Sequence, residues 1–229
     1  MKTAASFPGF SKKLPMFFAQ LEENNNRQWF EEHRSEYEEL VKIPVQSFIS
    51  AMEVPMLALR PYLYVDKRSV FRIYRDVRFS KNKAPYKPWL SLAFWEGAGK
   101  KTENPSFFIR IASQNILIGS GFYRFTKPML DAFRKEITDE KGSKKFEKMV
   151  NSLKKKGFTL SGEHYKRYPR GFDENSPNSE FLKFNSLFMI QNKPIPKEIF
   201  TKDCIKHCVE TFEQWTELHD WLVYLQAKS

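Results

Sequence analysis

The chain has 229 residues, 41% of them hydrophobic and 16% aromatic, which excludes a disordered polyelectrolyte and supplies material for a packed core. Its formal net charge of +11 favours anionic partners, either a phosphate-bearing small molecule or nucleic acid, because charge of this size bears on partners rather than on fold. The two cysteines, Cys204 and Cys208, form no disulfide framework and suit a reducing, cytoplasmic setting, while Pro8, Lys12, Lys13 and Pro15 interrupt any signal core and no stretch reaches the ~20 apolar residues of a membrane span.

Residues 1–13 read as a flexible start. Leu14, Phe17, Phe18 and Leu21 then recur at helical spacing, and the run Asn24-Asn25-Asn26 reads as a stop followed by a new N-cap. A second helix carries Trp29, Phe30, Tyr37, Leu40, Val41, Val45, Phe48, Ile49 and Met52 on one face and glutamates on the other. Pro44 must kink this helix or begin a fresh one, since a mid-helix proline removes a backbone bond. Pro55 and Pro61 are expected to close the helical region.

From Tyr62 the period changes to two. Phe71, Ile73, Val77 and Phe79 fall on one face of an expected strand and Arg72, Tyr74, Asp76 and Arg78 on the other, with Arg75 breaking the alternation. Trp89 to Trp95, Phe107 to Ile111 and Asn115 to Phe122 read as further strands, the last two joined as a hairpin, so neighbours should pair antiparallel. Helices follow over Pro128 to Ile137 and from Ser143 to Gly157, then a loop from Tyr165 to Pro177. Phe181 to Ile190 reads equally as helix or strand, and Lys197 to Gln226 as one final helix. These elements predict a single α+β domain over residues 1–229, with a mainly antiparallel sheet at about residues 62–122 packed against N-terminal and C-terminal helices.

The stretch Val70 to Pro88, VFRIYRDVRFSKNKAPYKP, is the densest chemical feature. Between Lys67 and Lys87 eight basic residues face one acid, Asp76. Arginine forks match phosphate or carboxylate oxygens in pairs, and lysines add mobile charge. The expected ligand-binding residues are Arg72, Arg75, Arg78, Lys81, Lys83, Tyr86 and Lys87, joined by Lys166, Arg167 and Arg170 from the later loop. Asp76 and Tyr74 are the candidate proton-handling groups if the cluster acts as an enzyme on a phosphorylated or carboxylated substrate. The opposing reading is a clasp in which these cations dock the glutamate-rich helix. Arg75, on the apolar face, needs a specific partner, with Asp66 or a helix glutamate the expected one.

Three segments together, Asn25-Asn26-Arg27-Gln28-Trp29-Phe30, the run Phe71 to Lys87, and Lys166-Arg167-Tyr168-Pro169-Arg170-Gly171-Phe172-Asp173, resemble DUF2461, a family of conserved proteins of bacteria and fungi classed as a domain of unknown function. The resemblance implies one full-length domain and no particular activity. Where the family pattern would put Asp-His-Pro, this chain has Asn175-Ser176-Pro177.

Other motifs fail on chemistry. Gly97-Ala98-Gly99-Lys100-Lys101-Thr102 lacks the first glycine and the hydroxyl of a phosphate loop and lies between strands. Cys204, His207 and Cys208 share one helix with no second cluster, so no metal site is expected. No cofactor motif and no nucleophile motif are present. The expected function is therefore anion binding on the central stretch, with an enzyme or a nucleic-acid-binding protein as the alternatives.

Overall fold

The computed structural model describes residues 5–229. The described residues divide into two compact units: unit 1 comprises residues 5–94, 108–118 and 192–211, and unit 2 comprises residues 95–107, 119–191 and 212–229. The fold is α+β, with a six-stranded antiparallel sheet of order β1-β2-β3-β4-β6-β5. Its strands are β1 (Leu63–Tyr64), β2 (Leu90–Glu96), β3 (Pro105–Ile111), β4 (Asn115–Phe122), β5 (Thr159–Glu163) and β6 (Phe184–Pro194). The sheet thus extends well beyond residue 122. β5 was not anticipated, and the ambiguous segment after Phe181 is a short 3-10 turn followed by β6. With Leu160 as its one large apolar residue and no position fully buried, β5 leaves no hydrophobic period to detect.

Unit 1 begins with α1 (Leu14–Glu23), which buries Leu14, Phe17, Phe18 and Leu21 as the spacing predicts. Of the expected flexible start, residues 1–4 lie outside the described residues. Within the rest, Phe7 and Phe10 are buried, their rings 5.0 Å apart, and the Phe10 N–H donates to the Ile199 carbonyl at 2.9 Å. Aromatic burial ties this segment down.

The Asn26 side chain caps α2 (Arg27–Glu32) by accepting from the Trp29 N–H. After α3 (Arg34–Tyr37) a π-helical turn (Glu38–Lys42) leads into α4 (Ile43–Leu59). Pro44 is the second residue of α4, directly after the π-helical turn, and the helical dihedrals of Lys42 and Ile43 carry the run through it without a fresh start. Pro55 does not end the helix but lies inside it, four residues before its end. The helical run Arg34–Leu59 reaches the length and mean hydropathy, 1.2, of a spanning helix. That apolarity has another use: Leu40, Val41, Val45, Phe48, Ile49, Met52 and Met56 are all buried in the protein.

In unit 2, α5 (Lys127–Thr138) buries Met129, Leu130, Phe133 and Ile137, and α6 (Glu140–Lys155) buries Phe146, Met149, Val150 and Leu153, each set at helical spacing. Gly157, with φ +84°, closes α6. The expected last helix is three pieces: a 3-10 turn (Lys197–Phe200) and most of α7 (Cys204–Glu213), which belong to unit 1, and α8 (Thr216–Ala227), which belongs to unit 2. Of the apolar stripe that its spacing predicts, Cys204, Cys208, Phe212, Trp215, Leu218, Leu222 and Leu225 are wholly buried, while Phe200 is half-buried.

Candidate functional site

The central stretch is not a strand. From Val70 to Pro88 it forms an arm held by two isolated β-bridges, Val70 to Leu92 and Tyr74 to Tyr86. Its ladder consists of Phe71 N–H to Ser91 O, Arg75 N–H to Pro85 O and Lys87 N–H to Ile73 O. Pro85 and Pro88 cannot donate, so the ladder stops there, and the chain turns at Val77 to Ser80. Ile73 is buried as its place in the alternation predicts, but Phe79 is 97% exposed.

Asn25 fixes this arm. Its side chain donates from Nδ2 to the Tyr86 carbonyl and accepts at Oδ1 from the Tyr86 N–H, both at 3.0 Å. This satisfies both polar groups of one buried residue. The Tyr86 ring stacks on Phe30 at 4.1 Å and lies 5.5 Å from Tyr74. Burial, aided by the nearby Tyr74, raises the Tyr86 phenol above its ordinary value.

Around this stack lies a cleft of about 370 Å³ lined by Arg27, Glu31, Tyr74, Arg75, Val77, Pro85 and Tyr86. Arg75 does have a specific partner, but it is neither Asp66 nor a glutamate: one guanidinium nitrogen donates to the Ala84 carbonyl at 3.1 Å. Asp66 instead holds Arg68 at 2.6 Å. Glu31 is occupied by Arg34, which donates to both carboxylate oxygens at 2.8 and 2.6 Å. That pair lowers the Glu31 carboxyl and raises the Arg34 guanidinium.

The remaining candidates divide by what they touch. Arg78 pairs with Asp76 at 2.8 Å, and this hydrogen bond holds the exposed Asp76 carboxyl down to about 2. So low a value makes Asp76 a poor proton acceptor near neutrality, and it does not line the cleft. Lys83 donates to the Val77 carbonyl at 3.0 Å. Lys87 donates to the Arg72 carbonyl at 2.8 Å, and burial followed by repulsion from Arg72 lowers its ammonium. Arg72 and Lys81 are exposed. In unit 2, Lys166, Arg167 and Arg170 are exposed on the loop before β6. On that loop Asp173 holds a turn, accepting from the Asn175 N–H at 2.9 Å and, through its backbone carbonyl, from the Ser176 hydroxyl at 2.6 Å.

Of the predicted residues, the cleft therefore gathers Tyr74, Arg75 and Tyr86, with the unpredicted Glu31. Arg27 reads from sequence mainly as the residue after a cap. Asn25 gives no signal of its role, because its partner lies 61 positions away. Among the described residues no group of three His, Cys, Asp or Glu side chains is placed to hold a metal.

No curated protein and no solved structure matched the chain. A family model described as a conserved hypothetical protein (DUF2461) matches residues 13–221. That span takes in the clamp, the arm and the later basic loop, and the chain belongs to the DUF2461 family.

Proposed function

We propose that this protein binds a phosphate-bearing small molecule, in the cytoplasm, in the cleft beside Tyr74 and Tyr86. The observation that carries the reading is a charge imbalance: Arg27 and Arg75 line the cleft, and its one acid, Glu31, is taken by Arg34. Arg75 spends one nitrogen on Ala84, which orients the guanidinium and leaves its other donors for an oxyanion. The flanking tyrosines supply a hydroxyl and an aromatic wall. Two buried free thiols agree with a reducing compartment.

Isothermal titration calorimetry with inorganic phosphate and pyrophosphate tests this. Binding is expected to be lost in Arg75→Ala and weakened at least tenfold, about 1.4 kcal/mol, in Arg27→Ala. Arg78→Ala, which removes a cation outside the cleft, should change it little. No binding by the wild type, or equal binding by all three variants, overturns the proposal.

A second reading, nucleic-acid binding, is favoured by Phe79, which is almost fully exposed with the Arg78 guanidinium 5.8 Å from its ring centre. An exposed ring among cations is suited to stacking on a base. Anisotropy of a labelled oligothymidylate should then fall steeply with salt and weaken in Phe79→Ala.

A further inference from the structure

Unit 1 carries a second, larger groove of about 620 Å³, bordered by Glu22, Pro88, Trp89, residues 112–115 and residues 192–194. Its chemistry is unlike that of the arginine cleft. Glu22 and Lys193 cancel in charge, and the other polar side chains, Ser113, Gln114, Asn115 and Asn192, are neutral. Each amide offers a carbonyl acceptor and an N–H donor, and the hydroxyl offers both. Asn115 Nδ2 donates to Asn192 Oδ1 at 2.7 Å. This fixes two amides side by side and leaves Asn115 with an oxygen to accept and Asn192 with a nitrogen to donate. Trp89 supplies an aromatic surface next to Pro88. Arg110, which does not border the groove, lies 5.2 Å from the Trp89 ring centre and braces it from elsewhere.

A matching ligand must donate and accept at adjacent atoms, carry no net charge and present a C–H face to a ring. A bare anion matches less of the lining, since it only accepts and leaves the Asn115 oxygen without a donor, while Glu22 offsets the charge of Lys193. A peptide backbone donates and accepts too, but such chains are usually taken along a strand edge, whereas this groove is bordered by side-chain amides at a hairpin turn. Neighbouring hydroxyls on a sugar ring meet every condition. We propose that this groove binds a neutral carbohydrate, with Trp89 as the stacking platform and Gln114, Asn115 and Asn192 as the hydroxyl partners.

The full chain should be titrated, with tryptophan fluorescence and calorimetry as readouts, against maltohexaose, cellohexaose, mannohexaose and chitohexaose, with an uncharged decapeptide as rival. The expected result is saturable binding of at least one sugar with a change in tryptophan emission. Asn192→Ala and Gln114→Ala, both at exposed positions, should each keep the fold and weaken that binding about tenfold. Trp89→Ala should abolish it, and Arg75→Ala should leave it unchanged, separating this groove from the arginine cleft. No binding of any of the four sugars, binding indifferent to both amide variants, or saturable binding of the decapeptide in their place overturns the proposal.

Discussion

Asp76 and Arg78 form an exposed pair whose main effect is on titration. Because the Arg78 guanidinium hydrogen-bonds the carboxylate, the Asp76 carboxyl falls from its ordinary 3.8 to about 2. The folded value lies below the unfolded one, so whatever the pair contributes is complete above pH 3.8 and is lost as the pH falls through about 2. Side-chain carboxyl shifts followed by NMR should titrate near 2 in the wild type and move back toward 3.8 in Arg78→Ala. A midpoint already at the ordinary value would show that the pair does not form in solution. The buried thiols are a second residue-scale case. Cys208 lies wholly inside the protein, and its hydrogen bond with Cys204 together with burial pushes its thiol well above the ordinary range. A thiol reagent should therefore leave both cysteines unmodified in the native protein and titrate both in denaturant.

Among the elements, the arm and β4 each hold a position where a single change has a defined cost. Asn25→Ala removes both hydrogen bonds to the Tyr86 backbone and leaves two buried polar groups unmet. Thermal or urea unfolding should report a loss of about 2 kcal/mol, and limited proteolysis should cut the arm near Phe79 sooner. Gly121 in β4 meets a different limit. A Cβ there would sit 2.2 Å from the Leu187 carbonyl oxygen and 2.5 Å from the Phe188 ring, both in β6. Gly121→Ala should thus destabilise by about 2 kcal/mol through overpacking, visible as a lowered Tm. A Tm equal to that of the wild type would mean the strands part at no cost.

For the molecule as a whole, what was legible in the sequence is what repeats. Helical stripes such as Phe17, Phe18 and Leu21, or Phe212, Trp215 and Leu218, were readable because one face of each helix is buried at a fixed period. The strands β2 to β4 were readable as short apolar runs, although consecutive residues in them are buried and not one face alone. The central arm misled because its alternation of apolar and charged residues is that of a strand, while Pro85 and Pro88 remove the donors a strand needs. The candidate cleft was half legible: Tyr74, Arg75 and Tyr86 stood out by type, but their neighbours Arg27 and Glu31 come from α2, and only tertiary structure brings them close. Charge counts also overstate what is free. Lys83, Lys87 and one nitrogen of Arg75 donate to backbone carbonyls of the arm, so three of the eight cations serve its conformation.

The Asn25 clamp has a consequence for the order in which the molecule assembles. Isolated bridges at Val70 and Tyr74 hold the arm, and its clamp joins residues 61 positions apart. Closing a loop of that length costs entropy before any bond repays it, whereas α2 can form locally within its own few residues. The cleft should therefore be among the last features to appear during refolding. In stopped-flow experiments Asn25→Ala should accelerate unfolding while leaving the refolding rate nearly unchanged, the signature of an interaction made after the rate-limiting barrier.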